Sequence, residues 1–313
     1  VVRSSKYTSD SEKDDLNNNN GLTTDRLPGR LTLIGFEFYN RIKLFPWWLQ
    51  FHKGQTAESN LKNNIIDLGK SLGFEDRWIK DILRHTISEF SKKGLGTDYY
   101  GYHNIQHELE AVYFTLLSIS GINKMENFKI SQEETTYLFV AALFHDYDPL
   151  KEFDKPNEDS VEFFIRHDPK IREFIAKANL NIDLVMILIH RTAYPFKGEI
   201  EQYANQKIDE LFVEAGISTS DLKTRERFRS LGWFLSVSER IAGYALGNYE
   251  HARDIARRNA HALGWHPSVI NKNSVKFFDN LMVEEKEMFD YIMSNVPTEF
   301  RKNFYDNVAY FKE

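Results

Sequence analysis

Tyr137-Leu138-Phe139-Val140-Ala141-Ala142-Leu143-Phe144-His145-Asp146-Tyr147-Asp148 is the stretch on which the fold turns. Ser131 with Glu134 three residues later is a capping-box signature upstream of it, so the apolar run reads as a buried helix. That helix ends on a histidine–aspartate pair. An aspartate after so long an apolar run is costly to bury unless it is paired or bound to a metal.

The same signals recur outward in both directions. Tyr102-His103-Asn104-Ile105-Gln106-His107 opens a second helix, predicted from near His103 through Val112, Leu116 and Leu117 and stopped by Gly121-Ile122-Asn123. His103 and His107 are four residues apart, which on a helix places both rings on one face. Leu61, Ile65, Ile66, Leu68 and Leu72 fit a helical stripe, and so do Trp78, Ile79, Ile82, Leu83, Ile87 and Phe90. Asn157-Glu158-Asp159-Ser160 starts a further helix, and Asp183 is expected to cap the apolar helix that ends on His190. A long helix is predicted from Arg225 to about Leu246, carrying Ser238-Glu239-Arg240, followed by Ala252–Leu263 and a last pair of helices. Hairpin signals, sustained alternation, internal repeats and a glycine-rich phosphate loop are all lacking. The class is all-α, a multi-helix bundle in a single domain over residues 29–313. Residues 1–28 are polar, with Asn17-Asn18-Asn19-Asn20, and read as a flexible tail. Phe45-Pro46-Trp47-Trp48 is too aromatic for a free linker and packs on the domain or on a second subunit, which leaves a homodimer open.

Composition narrows the function. The 313 residues carry 40 basic and 46 acidic side chains, a net charge of -6, which argues against a nucleic-acid surface. Cysteine is absent, which excludes thiolate metal sites and disulfides. No stretch approaches the roughly 20 apolar residues of a membrane span, and the N-terminus shows no signal pattern. A cytoplasmic protein is expected. A set rich in histidine and carboxylate and free of thiolate suits Zn, Mn, Mg or Fe. A carboxylate can bridge two such ions roughly 3.5–4 Å apart and acidify a shared water, while an imidazolium is the natural proton donor to a leaving oxygen.

Tyr102-His103-Asn104-x-x-His107 with His145-Asp146-x-Asp148 resembles the HD superfamily of metal-dependent phosphohydrolases, and within it the catalytic domain of class I cyclic nucleotide phosphodiesterases. The similarity continues through Asn157-Glu158-Asp159-Ser160-Val161, Phe234 to Glu239, and Ser274-Val275-Lys276-Phe277-Phe278-Asp279. The resemblance implies hydrolysis of 3′,5′-cyclic nucleotides to 5′-monophosphates by a metal-bridging hydroxide. His103 is then the general acid. His107, His145, Asp146 and Glu239 hold two divalent ions, with Asp146 as the bridge. Phe277 stacks on the base, and Tyr102, Asn104, His190 and Ser274 join the substrate pocket. Asn104 has the simpler reading of a helix cap, and His190 that of a core histidine. Asp148 supports the ligands from behind. The substrate is a small nucleotide, with neither nucleic acid nor membrane as partner.

Three departures are visible. Pro149 stands where the family has a second histidine, Glu239 replaces an aspartate, and Ser274 replaces a glutamine. They leave open a phosphohydrolase for another phosphoester, a diiron oxygenase, and a non-catalytic nucleotide sensor.

Overall fold

The computed structural model describes residues 58–96, 101–124, 129–152 and 154–313. All of them belong to one compact unit that begins at residue 52. The polar tail and the Phe45–Trp48 segment lie outside the described residues. Among the described residues the regular structure is helical: α1 (58–71), α2 (Asp76–Lys92), α3 (Ile105–Ile122), α4 (Gln132–Phe144), α5 (Glu158–His167), α6 (Pro169–Lys177), α7 (Ile182–His190), α8 (Gly198–Glu214), α9 (Leu222–Leu246), α10 (Tyr249–Ala262), α11 (Ile270–Val283), α12 (Lys286–Asn295) and α13 (Thr298–Lys312). A short 3₁₀ turn spans Pro267–Val269, and a single isolated bridge joins Glu152 and Lys155. The all-α expectation holds. None of these helices is long and apolar enough to cross a membrane.

Side-chain caps set the helix starts. The Ser131 hydroxyl accepts from the Glu134 amide at 3.1 Å, and the Glu134 carboxylate accepts from the Ser131 amide at 2.8 Å, the reciprocal capping box read from the sequence. Asn157, Asp168, Asp221 and Asn248 cap α5, α6, α9 and α10 in the same manner. Two starts differ from expectation. α7 is capped by Asn181, whose side chain accepts from the Asp183 amide at 2.8 Å; Asp183 sits inside the first turn and pairs with Arg166 at 2.8 Å. α3 begins at Ile105 because the Asn104 side chain accepts from the amides of Gln106 and His107, so His103 precedes the helix.

The core lies where α3, α4, α7 and α9 meet. Leu138 to Phe144 of α4 and Val185 to Ile189 of α7 are fully buried, so both helices are apolar on all sides, as an internal helix must be. The second half of α9 is buried from Leu235 to Ala245 and packs on α3. α12 crosses α3 closely: a Cβ on Gly121 would stand 1.8 Å from the Asn295 carbonyl oxygen. The functional side chains lie on or beside the ends of these central helices. Their backbone is therefore held by the densest packing in the molecule.

Candidate metal and nucleotide site

His107 projects from the first turn of α3, His145 is the C-cap residue of α4, Asp146 follows it, and Glu239 lies on α9. His107 Nε2 is 3.2 Å from Asp146 Oδ2, and His145 Nε2 is 3.3 Å from the same oxygen. Each is at ion-pair distance, yet His145 Nε2 and Asp146 Oδ2 are both buried without a hydrogen-bond partner among the described residues. Two imidazole nitrogens converging on one carboxylate oxygen, with His145 Nε2 and Asp146 Oδ2 left without a hydrogen bond, suit a shared cation. Ligand atoms of His107, His145 and Asp146 all fall within 4.8 Å of one another. Glu239 stands just outside this group, its Oε2 3.9 Å from His107 Nε2.

Electrostatics at the cluster are strongly coupled. Burial acts to raise the Asp146 carboxyl, but His145, His103 and His107 outweigh it and hold the group well below the usual carboxylate range. Burial acts to lower His145, while Asp146 and Glu108 drive it well above the usual histidine range. His107 is lowered by burial, against the pull of Asp146. Burial pushes Glu239 up to about 7, with His145 and Arg240 pulling the other way. So dense a set of negative carboxyl groups and imidazoles is what a divalent ion would neutralise.

The sequence reading missed two groups that stand behind these. Glu108 is fully buried, with Oε2 2.9 Å from His145 Nδ1, and burial pushes its carboxyl up to about 7 against the pull of His145. The Ala142 carbonyl lies 3.0 Å from the same nitrogen. With Nδ1–H held there, Nε2 keeps its lone pair for a metal. The signal was present in the sequence: Glu108 sits beside a histidine in the first turn of a helix whose later turns are largely apolar. Asp154 is the second. Its carbonyl accepts from His103 Nδ1 at 2.5 Å, and its Oδ2 accepts from the amides of Tyr102 at 2.5 Å and His103 at 3.3 Å. Lys151 ties the same loop down through Asp154 and the His103 carbonyl. Asp154 has φ 59°, the left-handed region that only structural constraint imposes on such a residue. No periodicity marks a loop residue of this kind.

With Nδ1 held by Asp154, His103 turns Nε2 as its free nitrogen. Burial acts to lower His103, but Asp146 and Asp154 outweigh it and raise it. The ring is edge-on to that of His107, with centroids 5.9 Å apart. The two do not share a helix face, because Asn104 stops the helix between them. One cavity of about 380 Å³ is lined by Tyr102, His103, His107, His145, Asp146 and Glu239 and also by Tyr194, Tyr244, Trp265 and Phe277. That is near the small end of the roughly 300–1,000 Å³ typical of ligand pockets.

Other expected site residues stand elsewhere. Asn104 is a cap whose amide also donates to the Gly101 carbonyl at 2.5 Å, and it does not line the cavity. Ser274 is buried and faces the core instead of the cavity. His190 is buried against Glu162, Nε2 to Oε2 2.8 Å, and lines a neighbouring cavity of about 300 Å³. Asp148 accepts from the Ser160 hydroxyl at 2.6 Å and from the amides of Leu150 and Asn157 at 2.9 and 3.1 Å. It pins the start of α5 to the loop after α4, and so acts on the frame of the site.

Neither a protein-family model nor a curated protein matches this sequence. Among solved structures, the fold is similar to the phosphodiesterase domain of a RhoPDE fusion protein from the choanoflagellate Salpingoeca rosetta. The TM-score is 0.50 at 12% identity, over 82% of this chain and 90% of that one. The similarity is one of fold.

Proposed function

We propose that this chain is a metal-dependent phosphodiesterase that hydrolyses 3′,5′-cyclic nucleotides to 5′-nucleoside monophosphates. The observation that carries this reading is the pair of buried, unpartnered atoms His145 Nε2 and Asp146 Oδ2, which converge with His107 Nε2 beside a nucleotide-sized cavity. His107, His145, Asp146 and Glu239 would hold two divalent ions, with Zn, Mn, Mg or Fe suited to the donor set. Such ions supply Lewis-acid charge to the phosphoryl oxygens and lower the pKa of water.

The chain's own residues supply the rest. The Ala142 carbonyl accepts from His145 Nδ1 at 3.0 Å, with the Glu108 carboxylate at ion-pair distance from the same nitrogen, and this fixes which nitrogen faces the cavity. Asp154 does the same for His103. Asp146 and Asp154 favour the protonated form of His103 against burial, and that form would carry the proton the leaving 3′ oxygen needs. Tyr102 packs its ring 4.8 Å from that of His103 and 4.5 Å from that of His107, which limits their rotation. Phe277 stands between Tyr194 and Tyr244, with centroids 6.1 and 5.9 Å away, and offers a ring on which a base can stack.

The experiment is a substrate panel with added Mn, Mg and Zn: cyclic AMP, cyclic GMP, 2′,3′-cyclic nucleotides, cyclic dinucleotides and an aryl phosphodiester. The expected result is turnover of a 3′,5′-cyclic nucleotide that is lost in His103→Ala while bound metal is retained. Turnover of the aryl diester alone would move the substrate to another phosphoester, and two bound ions without turnover would overturn the reading.

A further inference from the structure

α11 presents two adjacent stripes, and they face opposite environments. Ser274, Phe278 and Leu281, spaced i, i+4 and i+7, are 3%, 0% and 0% exposed and join the core. Asn273, Phe277 and Asn280 have the same spacing one residue earlier and line the cavity. Asn259, near the end of α10, reaches the same cavity, with Leu263 and Trp265 just beyond it. Three carboxamides from two helices therefore line the same cavity as one aromatic ring, with Asn273 and Asn280 a turn to either side of Phe277 on its own helix. None of them makes a side-chain hydrogen bond to a described residue, so their donors and acceptors are not spent within the fold.

A carboxamide is suited to heterocycle edges because it carries two donors and an acceptor oxygen on one plane. Its bidentate match to the N6 and N7 atoms of adenine is one example, and rotation by half a turn presents the converse pattern to other bases. A ring that stacks a base and amides that reach its rim are complementary parts of one site. His107, His145 and Asp146 line the same cavity, so one mononucleotide can meet both groups.

We propose that Asn273, Asn280 and Asn259 read the edge of a nucleobase stacked on Phe277, and that Ser274 takes no part. The assignment of the phosphate to His107, His145 and Asp146 rests on the phosphodiesterase reading above. The base site itself does not. It follows from the orientation of α11, which also explains why a serine is tolerated at 274: that position packs into the core.

The test compares ligands with and without a base. Calorimetry measures binding of AMP, GMP and ribose 5-phosphate to the wild type and to Asn273→Leu, Asn280→Leu, Asn259→Leu and the Asn273→Leu/Asn280→Leu pair. Leucine shares the branched shape and heavy-atom count of asparagine and the three positions are partly exposed, so thermal midpoints are expected to stay close to wild type. In the wild type, AMP or GMP binds more tightly than ribose 5-phosphate. Each single substitution weakens the better nucleotide about tenfold, and the pair more, with ribose 5-phosphate unchanged. Retention of nucleotide affinity within about twofold in the folded pair overturns the proposal, as does a parallel loss of ribose 5-phosphate. So does a wild type that does not distinguish AMP or GMP from ribose 5-phosphate. Turnover of an aryl phosphodiester by the wild type is read alongside. Absence of turnover of both this diester and the 3′,5′-cyclic nucleotides counts against the phosphodiesterase reading while leaving the base-site result to stand by itself.

Discussion

Glu108→Gln isolates the carboxylate behind the proposed metal site without touching a ligand. Glu108 is fully buried, and its Oε2 lies 2.9 Å from His145 Nδ1. Glutamine keeps the shape and an acceptor oxygen but removes the charge that makes the His145 ring a better ligand. Loss of such a supporting partner costs about 10- to 100-fold in metal affinity. At an ion concentration about a hundred times the wild-type dissociation constant, binding stabilises the fold by about 2.7 kcal/mol. For a unit of this size, at about 2 °C per kcal/mol, that raises the melting temperature by about 5 °C. At the same concentration the variant gains only about 0.4–1.4 kcal/mol, a rise of about 1–3 °C. The assay is thermal melting with and without Mn or Zn, each protein compared with its own metal-free form so that effects on the bare fold cancel. An equal metal-induced rise in both proteins would refute the argument that Glu108 acts through His145. So would a wild type whose melting does not respond to any divalent ion.

Four further outcomes follow from the same geometry. His103→Ala is expected to lower kcat on a cyclic nucleotide about 10²- to 10⁴-fold while metal affinity stays constant, and to lose far less on an aryl diester whose leaving group needs no proton; equal losses on both substrates would remove His103 as the acid. Asp154→Ala, which removes the carboxylate from the Tyr102 and His103 amides, is expected to lower kcat more than it raises KM, read by steady-state kinetics. Gly121→Ala forces a Cβ to 1.8 Å from the Asn295 carbonyl and is expected to destabilise the fold by about 3 kcal/mol in urea melts. His251 is raised by Glu110, 2.9 Å away, against burial, so the pair's contribution is complete below pH 6.5 and fades as pH climbs through the raised value; the stability difference between wild type and His251→Gln should be largest in mild acid and shrink in alkali.

The fold was legible because local and global signals agree. Ser131 with Glu134 marked the start of α4, and an unbroken apolar run marked its burial. His107, His145 and Asp146 were equally legible, since each ends or begins a buried helix and so has a fixed place in the core. Ser274 was less so. A resemblance by position cannot tell which of two neighbouring helix stripes faces a cavity, and a rotation of about 100° per residue separates Ser274 from Asn273. Asn104 and His103 show the same limit at a helix start, where one cap decides whether a side chain belongs to the helical face. Asp154 gave no sign at all, because its role depends on a left-handed backbone and on a loop folding back over fifty residues to reach His103.

The most direct test of the account is hydrolysis of cyclic AMP and cyclic GMP by protein stripped with a chelator and then restored with Mn or Zn, with the products separated by chromatography. The account predicts no turnover after stripping, recovery on restoration, and 5′-monophosphate as the sole product, as the proposed protonation of the 3′ oxygen by His103 requires. Turnover that survives complete removal of metal, or release of the 3′-monophosphate, would contradict it.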